Sequence, residues 1–180
     1  MKKQIVFAVL TIGAIVLGTN NIKAQTTATA TTTVKMVLAD VISMEAPASQ
    51  VTFTYDNAAA YNTDQKQSVV DNLKVTSTKP FGIKVKANGP NFVSGTNLIP
   101  VNVMTIKPVA GGTKPMGGTR QEVPILSISD QVLIPSAPMG SQVTLNIDYI
   151  ITASKASSAD ILGKPSGTYV QTVTYTATAL

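Results

Sequence analysis

The chain has no cysteine, no histidine and no tryptophan in 180 residues. Without cysteine no disulfide can staple the fold, so core packing and sheet hydrogen bonds must hold it together. Without histidine or cysteine, imidazole acid–base catalysis and thiolate attack are both excluded, and zinc loses its preferred ligands. Missing tryptophan weakens any carbohydrate-stacking platform, and aromatic residues make up only 5% of the chain. Nowhere do four basic residues gather, so the electrostatic footprint of a nucleic-acid surface is lacking.

Long apolar runs are also scarce. One opens the chain: Lys2 and Lys3 precede a run from Ile5 to Leu17 broken only by Thr11 and Gly13, and a polar stretch then leads to Ala24. This order is that of a secretory signal peptide cut after Ala24, although Ile22 stands where a smaller residue is usual. An uncleaved anchor is the alternative, but the run falls short of the roughly 20 apolar residues a spanning helix needs. No cysteine follows it to carry a lipid, and no later run is long enough to span. The expected organisation is a signal peptide over 1–24, a Thr/Ala-rich extension over 25–33, and a single domain over 34–180. Export to the periplasm or the cell surface follows. The formal charge of +5 then shrinks, because Lys2, Lys3 and Lys23 leave with the signal and eleven bases face nine acids.

What remains is rich in threonine, valine, alanine and serine, and it alternates. In "QVTFTYD", Val51, Phe53 and Tyr55 share one face and Thr52 and Thr54 the other, the pattern of a half-buried strand. Similar runs occur at 72–78, at 81–87, at 97–109 interrupted by Pro100, at 122–136, and at 141–153, where Val143, Leu145, Ile147, Tyr149 and Ile151 share a face. Residues 34–44 read as a first strand with a register shift at Ala39–Asp40. Residues 57–69 read as a turn-rich connection with one helical turn. "AGGTKPMGGT", residues 110–119, holds four glycines and reads as the most flexible segment. Eight or nine short strands with Gly/Pro turns and no substantial helix predict an all-β, immunoglobulin-like antiparallel β-sandwich. Phe53, Phe81, Ile83, Val85, Leu145, Ile147 and Tyr149 are its expected core.

The chemistry available is thin. Asp56, Asp64 and Asp71 are the only carboxylates clustered in an irregular segment, and their spacing matches no EF-hand loop. Residues 110–119 lack the order of a phosphate-binding loop. No catalytic, metal or cofactor residues are assigned, and a non-enzymatic protein is expected.

The two ends are more informative. The chain closes on "GTYVQTVTYTATAL", a strand that reads as an exposed edge, and exposed edges recruit other strands. Tyr169, Val173 and Tyr175 are the candidate acceptor edge. "QTTATATTTVKMVL" has the extended, small-residue character of a donor segment, with Val34, Met36 and Leu38 as its candidate anchors. Head-to-tail donation does not close on itself and makes a fibre. Alternatively, 25–33 is a tether and 34–44 is simply the protein's own first strand.

"NLKVTSTKPFGIKVKA", "YIITA" and the terminal "SGTYVQTVTYTATA" resemble the small secreted β-sandwich proteins of the spore-coat-U and archaic chaperone-usher pilus-subunit kind. They are also similar to Bacteroidetes-type surface proteins whose signal peptides end in Ala-Gln. The shared pattern of the last strand falls on Gly167, Tyr169, Thr172 and Val173. The chain departs from that pattern in lacking a cysteine pair and in its Gly-rich insert. The resemblance implies a structural subunit of a surface fibre or coat, assembled by strand complementation with copies of itself or related subunits and served by a periplasmic chaperone. A monomeric module binding a glycan or a surface protein is the other reading, with an apolar or aromatic patch at a loop end as its expected mark.

Overall fold

The structure, a computed structural model, describes residues 28–46 and 50–180. The expected signal peptide and the first residues of the extension lie outside them. The chain divides into two units between Val37 and Leu38. In the first, residues 28–37 carry no regular secondary structure and are exposed.

Among its described residues the second unit is an immunoglobulin-like β-sandwich of nine strands and two short α-helices. The strands are β1 (Ile42–Glu45), β2 (Gln65–Ser77), β3 (Phe81–Ala87), β4 (Asn91–Ser94), β5 (Asn97–Pro100), β6 (Met104–Val109), β7 (Gln131–Ala137), β8 (Gly140–Ile151) and β9 (Val173–Ala179). Helix α1 (Ala58–Asn62) precedes β2, and α2 (Ala153–Ala156) follows β8. One sheet has the order β1-β2-β8-β6 and the other β7-β3-β9, with β4-β5 as a separate hairpin. All these strand pairs are antiparallel. Among the described residues no helix is long and apolar enough to cross a membrane.

The alternation builds this arrangement. Leu73 and Val75 of β2, Ile106 of β6, and Leu145 and Ile147 of β8 point at Phe81, Ile83 and Val85 of β3 and Leu133 of β7, and all are buried in one shared core. Tyr149 is buried there too, so the expected core residues of 81–87 and 141–153 are in place, while Phe53 is only half-buried against it.

Several elements differ from the sequence reading, each for a physical reason. Residues 34–41 form no strand, and only Ile42–Glu45 pairs with β2. Val34, Met36 and Leu38 are 85%, 79% and 85% exposed, so their alternation matches no buried face. Residues 65–69 belong to β2, not to a connection: Gln65, Lys66, Gln67 and Ser68 give no apolar signal, yet they pair with β8 from Ile151 to Asp148. A register shift between Val69 and Leu73 separates them from the apolar half of the strand. Residues 122–130 form no strand, but they are tied to the sheets by the bridge of Ile106 to Val123 and by backbone bonds from the Leu126 N–H to the Met104 carbonyl and from the Ala87 N–H to the Ser127 carbonyl.

Residues 110–119 are not a loose loop. Met116 is buried, its N–H donates to the Thr144 carbonyl at 2.8 Å, and the Thr144 N–H donates to the Lys114 carbonyl at 2.7 Å. The glycines make a tight crossing possible. Gly112 has φ +106, and a Cβ there would lie 2.6 Å from both Asp71 Oδ1 and Thr144 Oγ1. Asp71, itself left-handed at φ +51, accepts hydrogen bonds from the Thr113 N–H and hydroxyl.

Candidate functional site

The seven-strand immunoglobulin plan places strands A-B-E-D in one sheet and C-F-G in the other. Here β1, β2, β8 and β6 occupy the A, B, E and D places. β3 takes the place of C and β9 that of F, while β7 flanks β3 on its other side. Among the described residues, no strand pairs with the outer side of β9, where G would lie.

The register fixes which backbone groups face that side. In an antiparallel pair, residues alternate between those that exchange both hydrogen bonds with the partner and those whose N–H and C=O point away. The Asn88 N–H donates to the Thr172 carbonyl, and the Leu180 N–H donates to the Pro80 carbonyl. The even-numbered residues of β9 therefore bond to β3. The N–H and C=O groups of Val173, Tyr175, Ala177 and Ala179 point outward. The side chains of Val173, Tyr175 and Ala177 stay half-buried, and the first two pack on the core.

A polar chain ties this edge to the opposite sheet. The Tyr175 and Tyr149 hydroxyls are 2.6 Å apart, and the Tyr149 hydroxyl donates to buried Asn72 Oδ1 at 3.4 Å. Burial pushes both phenols above their ordinary pKa, that of Tyr175 strongly, with the neighbouring Tyr149 adding to it. The link joins β9 to β8 and β2 across the sandwich, where no cysteine pair exists to do so.

Of the residues expected at the acceptor edge, Val173 and Tyr175 lie together on β9. Tyr169 does not: it precedes the strand, and its hydroxyl closes a turn by donating to the Pro165 carbonyl at 2.8 Å. Alternation places Tyr169 in phase with Val173 and Tyr175, but the strand begins only at Val173. The candidate donor residues Val34 and Met36 belong to the first unit, and Leu38 opens the second.

A comparison with protein-family models and with curated proteins finds no match.

A second segment departs from the sequence reading in its pairing. Residues 50–56 keep the predicted alternation, with Val51, Phe53 and Tyr55 half-buried against the core and Thr52 and Thr54 exposed. Yet they join no sheet, and among the described residues no backbone hydrogen bond involves them. Tyr55 stacks at a tilt on Tyr61 of α1, with ring centroids 5.0 Å apart. Its hydroxyl is buried without a protein partner, and burial, with Tyr61 adding to it, pushes its pKa up to about 12.

The three acids are not brought together. Asp56 accepts from Asn57 Nδ2, Asp64 accepts the Ala153 N–H at the start of α2, and Asp71 holds Thr113. Beside that last contact, Lys74, Lys114, Gln142 and Thr144 line a polar pocket of about 260 Å³. The hydrogen bonds from Thr113 hold the Asp71 carboxyl below its ordinary value of 3.8. A carboxylate with a depressed folded pKa stabilises above its unfolded pKa and loses that contribution as pH falls through the folded value. The Thr113 amide proton should therefore titrate with a midpoint below 3.8 in an NMR pH series, and Asp71→Asn should abolish that titration. A midpoint at or above 3.8 would contradict the latch.

Proposed function

We propose that the protein is a non-enzymatic structural subunit of a bacterial surface fibre or coat, assembled by adding an extended strand from one copy to the β9 edge of the next. The observation that carries this reading is the row of outward N–H and C=O groups on Val173, Tyr175, Ala177 and Ala179, which no described residue pairs. Such an edge is a template for another chain. The donor that fits is the exposed stretch around Val34, Met36 and Leu38, with apolar residues at alternate positions as strand addition demands. The contact is heterologous, so repeated copies extend into a filament. The resemblance to spore-coat-U and archaic pilus subunits points the same way, and export, a periplasmic chaperone and related subunits as partners belong to the same proposal.

Size analysis of the protein with and without residues 25–38 tests it. The longer form is expected to form concentration-dependent oligomers and the shorter form to stay monomeric. Equally stable monomers from both would end the proposal. They would favour a monomeric binding module, for which one observation speaks. Leu98 pairs with Val93 and Val93 with Val170, so the three share one face and remain 45%, 45% and 63% exposed.

A further inference from the structure

We infer that residues 50–56 are a displaceable cap: they shield the open side of the sandwich in the free subunit and give way when a strand docks on β9. The inference rests on the strand-addition reading and adds to it a means of controlling the site. β1 lies beside β9, and it pairs with β2 only over Lys74–Ser77. The rest of β2, from Gln65 to Leu73, has β8 on one side and no ladder on the other among the described residues. Residues 50–56 lie between β1 and α1 in the chain, and α1 sits at the Gln65 end of β2, where the Gln65 side chain donates to the Ala60 carbonyl. Val51, Phe53 and Tyr55 turn inward and cover the core.

The covering is made by side chains alone. Each residue of a strand normally spends its N–H and C=O in a ladder, and among the described residues, 50–56 finds no backbone partner. The Tyr55 hydroxyl is buried without a protein partner, which raises the free energy of the docked state. The segment is anchored beyond both ends. Val41 and Thr78 bond to each other ahead of β1, and the Asn57 side chain caps α1. It can therefore swing out without unravelling β2 or α1. An incoming strand offers what the cap does not, a ladder along β9 together with apolar side chains. Exchange trades half-buried side-chain contacts for the same contacts plus backbone hydrogen bonds.

The test uses the purified full-length protein and a fluorescent synthetic peptide of residues 28–40, followed by anisotropy. Phe53→Ala should take up the peptide about tenfold faster than the unaltered protein, the factor expected when half of a phenylalanine's burial no longer has to be undone first. Hydroxyl-radical footprinting of the unaltered protein needs no variant: Phe53 and Tyr55 should become more reactive when the peptide binds. Uptake at equal rates, or protection of Phe53 and Tyr55 on binding, overturns the cap and leaves strand addition standing. If neither protein takes up the peptide, strand addition itself fails and the cap fails with it.

Discussion

Ala177→Pro should leave the protein folded and abolish strand uptake, whereas Thr176→Pro, one residue earlier, should unfold it readily. The contrast follows from the register of β9 on β3. Thr176 sits opposite Lys84 and bonds to it. Proline there removes a ladder donor and leaves the Lys84 carbonyl unpaired, at a cost of roughly 1–3 kcal/mol, before any clash of the ring with β3. Ala177 sits opposite Ile83 in a pair whose N–H and C=O point outward. Proline is tolerated on an edge strand where the missing N–H faces away from the sheet, so the free protein should lose less than about 1 kcal/mol. The same change removes one outward donor and puts a ring where the next strand must approach. Loss of one such bond alone is worth on the order of tenfold in binding, and the ring adds to it. Urea midpoints and peptide anisotropy on the two variants read both effects. If Ala177→Pro binds the peptide like the unaltered protein, the β9 edge is not the acceptor.

The strands that could be read from the sequence are those whose two faces differ. Phe81, Ile83 and Val85 face the core while Lys84 and Lys86 face outward, and β3 spans the predicted residues. The same holds for β8, where Leu145, Ile147 and Tyr149 line the inner face. Periodicity fails where pairing and burial part company. The first half of β2 is paired but polar, so it gave no signal. Residues 34–38 alternate but are exposed, and 50–56 alternate and pack but pair with nothing. Side-chain pattern reports which face is apolar, and only the partner strand decides whether a ladder forms. The Gly-rich segment failed in the opposite sense. Gly111, Gly112 and Gly118 all have positive φ, so these residues suit a tight crossing pinned by Asp71, and composition alone cannot tell that from a flexible linker.

The candidate site was legible in part for the same reason. Val173 and Tyr175 could be placed on one face of one strand, and an edge position could be suspected. Their backbone direction could not, because it depends on the phase of the ladder with β3. The Tyr175–Tyr149–Asn72 chain was beyond reach as well, since it joins residues far apart in sequence through a bulge that carries no pattern of its own.

Phe81→Ala is expected to have the largest effect on stability, about 3–5 kcal/mol. The ring is fully buried, and its cross-strand partners are Ala137 of β7 and Ala179 of β9. Small neighbours on both sides make room for one large side chain, so truncation leaves a void that neither can fill. Phe81→Leu keeps most of the volume and should cost less than about 1.5 kcal/mol. Typical domains hold only 5–15 kcal/mol in total, and no disulfide supplements that here. Phe81→Ala should therefore lower the urea midpoint steeply, and it should weaken strand uptake too, because Phe81 is the register partner of Ala179 at the end of β9. A loss below about 1 kcal/mol would mean that the two sheets are not packed through this ring, and the support for the open edge would have to lie elsewhere.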